Sequence, residues 1–75
     1  MNKDFTLELA TIIKDRRIEK RMTQEEISNR LNINRSTYAN WEQGVRKFDF
    51  ETVVQICEVL DIDIIELTKE MRKHL

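Results

Sequence analysis

Residues 23–44 read TQEEISNRLNINRSTYANWEQG, and this stretch decides the fold. Thr23 is followed three positions later by Glu26, which is the spacing of a capping box at the start of a helix. Ile27 and Leu31 then form an i, i+4 apolar pair, so the helix has one face suited to burial. The stretch therefore begins with a short amphipathic helix.

A turn and a second short helix follow. Asn32 stands where the chain must reverse, and asparagine tolerates a positive φ better than most residues. Asn34 is suited to be the N-cap of the next helix and Gly44 its C′ residue, while Tyr38 and Trp41 are expected to face inward. Two short helices joined by a tight polar turn make a helix-turn-helix, here over about 23–44. Its second helix has the size to enter the major groove of DNA.

The rest of the chain is predicted to add three helices. One runs from about residue 6 to 21. Asp49 caps another, and Asp63 with Glu66 forms a second capping box that starts the last one, which reaches about residue 72. The pattern predicts an all-α fold, a compact five-helix domain over residues 1–75. The fourth helix is expected to bury a stripe made of Phe50, Val53, Ile56, Cys57 and Leu60.

Composition agrees with a small helical domain. The 75 residues are 40% hydrophobic and 36% charged, with no proline and one glycine, and a sheet-rich fold would need more turn residues. No apolar run approaches the roughly 18 residues of a membrane span, and the N-terminus does not read as a signal peptide, so a cytoplasmic location is expected. Cys57 and His74 are each the only residue of their type. Neither a disulfide nor a metal site is expected.

Charge is unevenly distributed along the chain. The net charge is −1, but residues 1–48 carry ten Lys/Arg against seven Asp/Glu, whereas residues 49–75 carry three against seven. The first part is therefore basic and the second acidic. This is consistent with one face toward phosphate and another turned away, although two ordinary solvated surfaces would have the same composition.

The stretch TQEEISNRLNINRSTYANWEQG and the later FETVVQICEVLDIDIIEL together resemble the Cro/lambda-repressor-like helix-turn-helix family, of the xenobiotic-response-element type. The resemblance runs from about residue 9 to 67. It rests on the combination of Thr-Gln-Glu-Glu, Trp-Glu-x-Gly and the final Leu-x-Ile-x-x-x-x-Leu. It implies a five-helix domain that binds a palindromic DNA operator as a two-fold dimer. The implied function is a transcriptional regulator, a repressor of phage or mobile-element type or a restriction-modification controller.

The outward positions of the third helix are the candidate base readers. Arg35 can donate two hydrogen bonds to guanine, and Asn40 can pair bidentately with adenine. Ser36 can serve either base, and the methyl group of Ala39 can meet that of thymine. The resemblance also implies base contacts in this part of the helix. A phosphate contact or a solvated side chain is the competing interpretation for Arg35.

Candidate phosphate contacts surround the same helix. Free N–H groups at the start of the second helix favour an anion, and the resemblance implies that Gln24 fixes the protein to the DNA backbone there. Such contacts position the protein without reading sequence. For the two loop cations, simple solubility is the competing interpretation. The remaining candidates are Asn34, Thr37, Gln43, Arg46 and Lys47.

Arg17 and Glu42 are expected to have a structural role. The resemblance implies an arginine at the end of the first helix that pairs with a glutamate following the aromatic residue of the third. If paired and partly buried, the two would lock the third helix onto the first. The alternative is two separate surface charges.

The fifth helix is rich in apolar residues for so small a domain. Ile64 and Ile65, with Met71, are expected to pair with the same surface of a second copy. A two-fold interface there would set the two third helices about one DNA turn, roughly 34 Å, apart. These side chains could instead complete the core of the monomer.

No enzyme, cofactor or small-molecule substrate is expected. The chain lacks a histidine beside a nucleophile, paired carboxylates in an apolar setting and a phosphate-binding glycine loop. The main alternative to DNA binding is a protein-binding helix-turn-helix module, such as an antitoxin component. Arg35 and Asn40 favour DNA, because a protein partner would suit an apolar or acidic third helix better. A fragment of a longer repressor is also open, although the stripe reaching Met71 favours a complete short regulator.

Overall fold

The computed structural model describes residues 5–73, and within this range the secondary structure is helical, without a strand. The all-α fold expected from the sequence is confirmed. No helix of the described range is long and apolar enough to cross a membrane. The helices are α1 (Phe5–Glu19), α2 (Gln24–Leu31), α3 (Arg35–Glu42), α4 (Phe50–Leu60) and α5 (Ile64–Arg72).

Helix starts are fixed by side chains of the type the sequence indicates. The Thr23 hydroxyl accepts the N–H of Glu26 at 3.0 Å, and the Glu26 carboxylate accepts the N–H of Thr23 at 2.8 Å, so the first capping box is present. Asp49 accepts the N–H of Thr52 at 2.7 Å. At α5 the expectation was wrong in detail, because Asp63 accepts the N–H of Ile65 instead of the N–H of Glu66.

Four helices end in the same way. After each of α1 to α4, a residue with positive φ donates its N–H to the carbonyl three positions back, and the next residue donates to the carbonyl five positions before it. This is the Schellman motif, which satisfies carbonyls at the helix end. It also stops α1 at Glu19, earlier than the sequence pattern suggested. The left-handed residues are Arg21, Asn32, Gly44 and Asp61.

The core is shared by all five helices. Ile13 of α1, Ile27 of α2, Tyr38 of α3 and Ile56 of α4 are fully buried, and α5 adds Leu67. Helix α2 packs on α3 and α4, and α1 packs on α3, α4 and α5. Because α1 and α2 together support it, α3 is held with its opposite face toward solvent.

Two side chains lie where the sequence analysis did not expect them. Phe50 was assigned to the buried stripe of α4 but is 76% exposed. It is the first residue of the helix, and so lies beyond the edge of the core that Ile56, Cys57 and Leu60 fill. Met71 was assigned to a dimer interface but is only 5% exposed, because the monomer core already covers it.

Candidate nucleic-acid interface

The outward face of α3 is polar. Arg35, Ser36 and Asn40 are exposed, and Ala39 is half-buried between the last two. The side chain of Asn34 caps the helix, since its Oδ1 atom accepts the Ser36 N–H at 2.9 Å and the Ser36 hydroxyl at 2.7 Å. The Ser36 donor is therefore engaged locally, while its oxygen keeps acceptor capacity. The four candidate base readers thus lie on one side of one helix.

The candidate phosphate residues flank this face. Thr37 is half-buried on α3, and Gln43 is exposed at its C-terminus. Arg46 and Lys47 are exposed in the loop between α3 and α4. That loop is held to the end of α3 by hydrogen bonds from the N–H groups of residues 44–46. Arg46 and Lys47 therefore lie next to the C-terminal end of α3 and add positive charge beside its polar face.

On the buried side of α3, Glu42 lies at the centre of a hydrogen-bonded cluster. The Arg17 guanidinium binds it with two nitrogens, Nε to Oε2 at 2.6 Å and Nη2 to Oε1 at 3.1 Å. Gln24 Nε2 donates to Oε1 at 3.0 Å and the Tyr38 hydroxyl to Oε2 at 2.5 Å. Arg17 also donates through Nη1 to the carbonyl of Met22 at 2.6 Å. The expected Arg17–Glu42 pair is thus present, and it joins α1, α2 and α3.

The cluster is shielded from water. The side chains of Arg17 and Glu42 are 11% and 3% exposed. Burial alone would raise the pKa of Glu42, but the hydrogen bonds from Arg17, Tyr38 and Gln24 outweigh it and leave the pKa below its ordinary value. Burial, together with the hydrogen bond to Glu42, raises the pKa of Tyr38. At neutral pH the carboxylate therefore stays charged and the tyrosine stays a donor.

Gln24 has a contact that the sequence analysis did not foresee. It was expected to contact phosphate, and in the structure its amide nitrogen donates to Glu42. An amide nitrogen carries two hydrogens, so one remains for another acceptor. Tyr38 was expected to face inward, and its buried hydroxyl donates to Glu42. The i, i+4 spacing of Tyr38 and Glu42 is the sequence signal that indicates this second contact.

Trp41 belongs to the core. It is buried, lies edge-on to Tyr38 with ring centroids 6.4 Å apart, and packs on Phe48 at 5.6 Å. It is therefore not placed to stack on a base. Cys57 is buried as well, and burial raises the pKa of its thiol. Among residues 5–73, no group of three or more His, Cys, Asp or Glu side chains is arranged to hold a metal ion.

A second surface lies away from α3. Ile65 is 63% exposed on α5, Ile64 is half-buried, and Phe5 and Phe50 are exposed beside them. Together these four residues are called the apolar face below. An apolar groove of about 290 Å³ opens beside three of them, Phe5, Phe50 and Ile64, and is lined also by Leu9, Val53, Leu67, Thr68, Met71 and Arg72. Sequence reasoning missed Phe5 and Phe50, because helical periodicity does not reveal where the core ends.

Two further ion pairs connect α1 and the turn that follows it with the C-terminal part of the chain. Arg16 pairs with Glu70 of α5 at 3.4 Å, and both side chains are partly exposed. Lys20 pairs with Asp61, the left-handed residue after α4. Arg16 thereby links α1 directly to α5.

Comparisons with known proteins agree with this architecture. The chain is 29% identical over 63 residues to the cryptic phage CTXphi transcriptional repressor RstR of Vibrio cholerae, covering 84% of this chain and 57% of that protein. It is 33% identical over 57 residues to the uncharacterized HTH-type transcriptional regulator YqaE of Bacillus subtilis (strain 168), covering 76% of this chain and 49% of that protein. The chain thus spans about half the length of these relatives.

The fold has a solved counterpart. The crystal structure of a tyrosine-to-phenylalanine mutant of the restriction-modification controller protein C.Esp1396I superposes with a TM-score of 0.83, covering 97% of this chain and 92% of that one. At 23% sequence identity, this likeness concerns the fold. The family profile described as helix-turn-helix matches residues 13–67. With most of its length matched, from the middle of α1 to α5, the chain belongs to the helix-turn-helix family of the Cro/C1 type.

Proposed function

We propose that this protein is a sequence-specific double-stranded DNA-binding transcriptional regulator, acting as a repressor. The observation that carries the proposal is an exposed polar face on α3, backed by the buried Glu42 cluster that ties α3 to α1 and α2. A rigidly supported helix with a polar outer face suits insertion into the major groove, which is wide enough for one helix. The phage repressor and the restriction-modification controller to which the chain is similar support the same function.

Base recognition is assigned to the exposed side chains of α3. Arg35 has the fork geometry for guanine, and Asn40 has the donor and acceptor for adenine. The two lie five positions apart on α3, so they would contact different base pairs. Ser36 offers an acceptor from its oxygen, and Ala39 offers a methyl group to thymine.

Backbone contacts are assigned to groups around that helix. Arg46 and Lys47 supply positive charge at one end of α3, next to Gln43. At the start of α2, the second hydrogen of the Gln24 amide is available to a phosphate while the first stays on Glu42. Asn34 and Thr37 complete the set, near the N-terminus of α3. These contacts would set register and affinity without reading bases.

We assign dimerisation to the apolar face, with Ile65 at its centre. The exposed charges of α5 and its N-cap include Asp63 and Glu66 near the start and Lys69 and Arg72 near the end, and Glu66 and Lys69 also pair with each other at 3.7 Å. In a two-fold antiparallel pairing the acidic start of one helix would meet the basic end of the other. Phe50 replaces Met71 in this assignment, because Met71 is inside the monomer. The resulting dimer would bind a palindromic operator.

The test is a selection from randomised duplexes with the purified chain at near-physiological salt. An inverted repeat with half-sites about one turn apart, roughly 34 Å, would support a dimeric reader. A single half-site would retain DNA reading but remove the dimer. No enrichment, with binding that disappears as salt rises, would replace this proposal with a protein-binding helix-turn-helix module.

A further inference from the structure

Glu42 has all its acceptor positions in use. A carboxylate offers about four lone-pair positions. Here Oε1 accepts from Arg17 Nη2 and Gln24 Nε2, and Oε2 accepts from Arg17 Nε and the Tyr38 hydroxyl. The donors come from α1, α2 and α3, so the orientation of one carboxyl group depends on three helices at once.

The Tyr38 hydroxyl has no freedom to serve another acceptor. Its ring is fully buried and lies edge-on to Trp41 at an interplanar angle of 84°. Its donor is directed at Glu42 Oε2. Because the proton is retained at neutral pH, the hydroxyl is a permanent donor. A phenylalanine would fill the same space and lose the hydroxyl that donates to Glu42.

The bond between Gln24 and Glu42 joins the first residue of α2 to the last residue of α3. Without the tyrosine donor, Oε2 would keep only Arg17 Nε, and the carboxylate could rotate toward the guanidinium. The Gln24 bond would then weaken, and with it the fixed separation of these two helix ends. Side chains that recognise a ligand must be held within about 0.5 Å and 10–20° of their productive geometry.

We propose that Tyr38 is a positioning residue for sequence reading: through Glu42, its hydroxyl fixes the angle at which α3 presents Arg35 and Asn40. The proposal rests on the DNA-reading function given above. The proposed role of Tyr38 differs from that of a residue that only fills the core, because core packing requires its aromatic ring but not its hydroxyl group. It also predicts an effect on discrimination between duplexes, which is not the same as an effect on affinity for DNA in general.

The experiment compares the wild-type protein with Tyr38→Phe on the duplex obtained by selection and on a scrambled duplex of the same length. Binding is measured at one salt concentration and at a temperature where circular dichroism shows both proteins folded. We expect Tyr38→Phe to lose about tenfold in affinity for the selected duplex, the effect of one hydrogen bond to a charged group, with the scrambled duplex changed less than about twofold. Ile56→Val is the matched control, since it removes a buried methylene group of α4 and no hydrogen bond. Its ratio of the two affinities should equal that of the wild type.

A second variant tests the same link at its acceptor, again at a temperature where circular dichroism shows the protein folded. Glu42→Gln keeps the shape of the side chain but replaces one acceptor oxygen with a donor, so it should lower the same ratio of affinities. An unchanged ratio in Tyr38→Phe, or an equal loss on both duplexes, would overturn the positioning role while leaving the proposed function intact. A wild-type protein that prefers no duplex would defeat both.

Discussion

Arg17 meets Glu42 side-on, with two parallel hydrogen bonds of 2.6 and 3.1 Å, at a place where neither side chain has appreciable contact with solvent. A bidentate guanidinium–carboxylate pair combines charge with fixed geometry. Its partner atoms lie 25 residues apart in the chain, on α1 and at the end of α3. The pair therefore links two helices in the tertiary structure and is not a solvent-exposed surface ion pair.

Removing one member of this pair should be strongly destabilising. Arg17→Met leaves Glu42 buried without its cation, and we expect a loss of about 3 kcal/mol in the free energy of unfolding, measured with urea. Arg16→Met is the matched control on the same helix. Its pair with Glu70 is partly exposed, so its loss should stay below about 1 kcal/mol. Equal losses in the two variants would contradict the structural role of Arg17.

Stability should decrease on acidification with a contribution from Glu42. The pKa of this group is lower in the folded protein than its ordinary value of 4.5. The stabilisation is therefore complete above that value, and is lost as the pH falls from it toward the folded-state pKa. The pKa values of Asp49 and Asp61 are lowered as well, by the Thr52 N–H and by Lys20 respectively. Urea midpoints measured between pH 6 and 2.5 (roughly the span of carboxylate titration) should fall less steeply for Glu42→Gln than for the wild type.

Introducing a glycine at one left-handed helix end and removing the glycine from another should change the stability in opposite directions. Arg21 has φ 59°, where a residue with a Cβ is strained, so Arg21→Gly should stabilise by about 0.5–1 kcal/mol. Gly44 has φ 74°, and a Cβ there would lie 2.9 Å from Leu7 Cδ1. Gly44→Ala should therefore destabilise by about 1–2 kcal/mol. Thermal unfolding of both variants gives the signs, and the same sign in both would refute this account.

The salt dependence and the sequence dependence of binding should distinguish base contacts from phosphate contacts. Arg35→Ala should weaken binding to the selected duplex by about 1–3 kcal/mol and relax preference at one base pair. Lys47→Ala should weaken all duplexes alike and reduce the slope of log K against log salt by about 0.9. If Arg35→Ala weakened every duplex equally, Arg35 would be reassigned to phosphate.

Charge on the apolar face should prevent dimerisation without unfolding the chain. Ile65→Lys places a cation at the proposed two-fold contact, and sedimentation equilibrium should report a monomer with unchanged circular dichroism. Ile18→Lys, at an exposed position of α1 that does not line the groove, is the control and should leave the assembly unchanged. Dimers in both variants would exclude Ile65 from the interface.

The features that were predicted correctly from the sequence are those that depend only on neighbouring residues. The capping box of Thr23 and the left-handed conformation of Asn32 are local, and each needs only a few positions of chain. Arg21 escaped prediction because arginine has no intrinsic preference for positive φ. Phe50 was assigned to the core because periodicity continues to the first residue of a helix even where the core has ended.

The candidate site was predictable to a similar degree. The polar face of α3 follows from helical spacing, so Arg35 and Asn40 could be placed on its outer side. The contact between Gln24 and Glu42 could not be derived in that way, because it depends on how α2 and α3 pack. The roles of Arg35, Asn40 and Gln24 toward DNA stay predictions until a duplex is bound.

The repeated Schellman motif has a consequence for how quickly the chain folds. Each reversal after α1, α2, α3 and α4 is closed by two hydrogen bonds that reach back only three and five residues. Turns of this kind form without waiting for distant segments to meet, and helical proteins rich in such local contacts fold in microseconds to milliseconds. The Arg17–Glu42 link closes a far longer loop and is expected to form after the turns. Its loss should then appear mainly as faster unfolding, with the folding rate nearly unchanged.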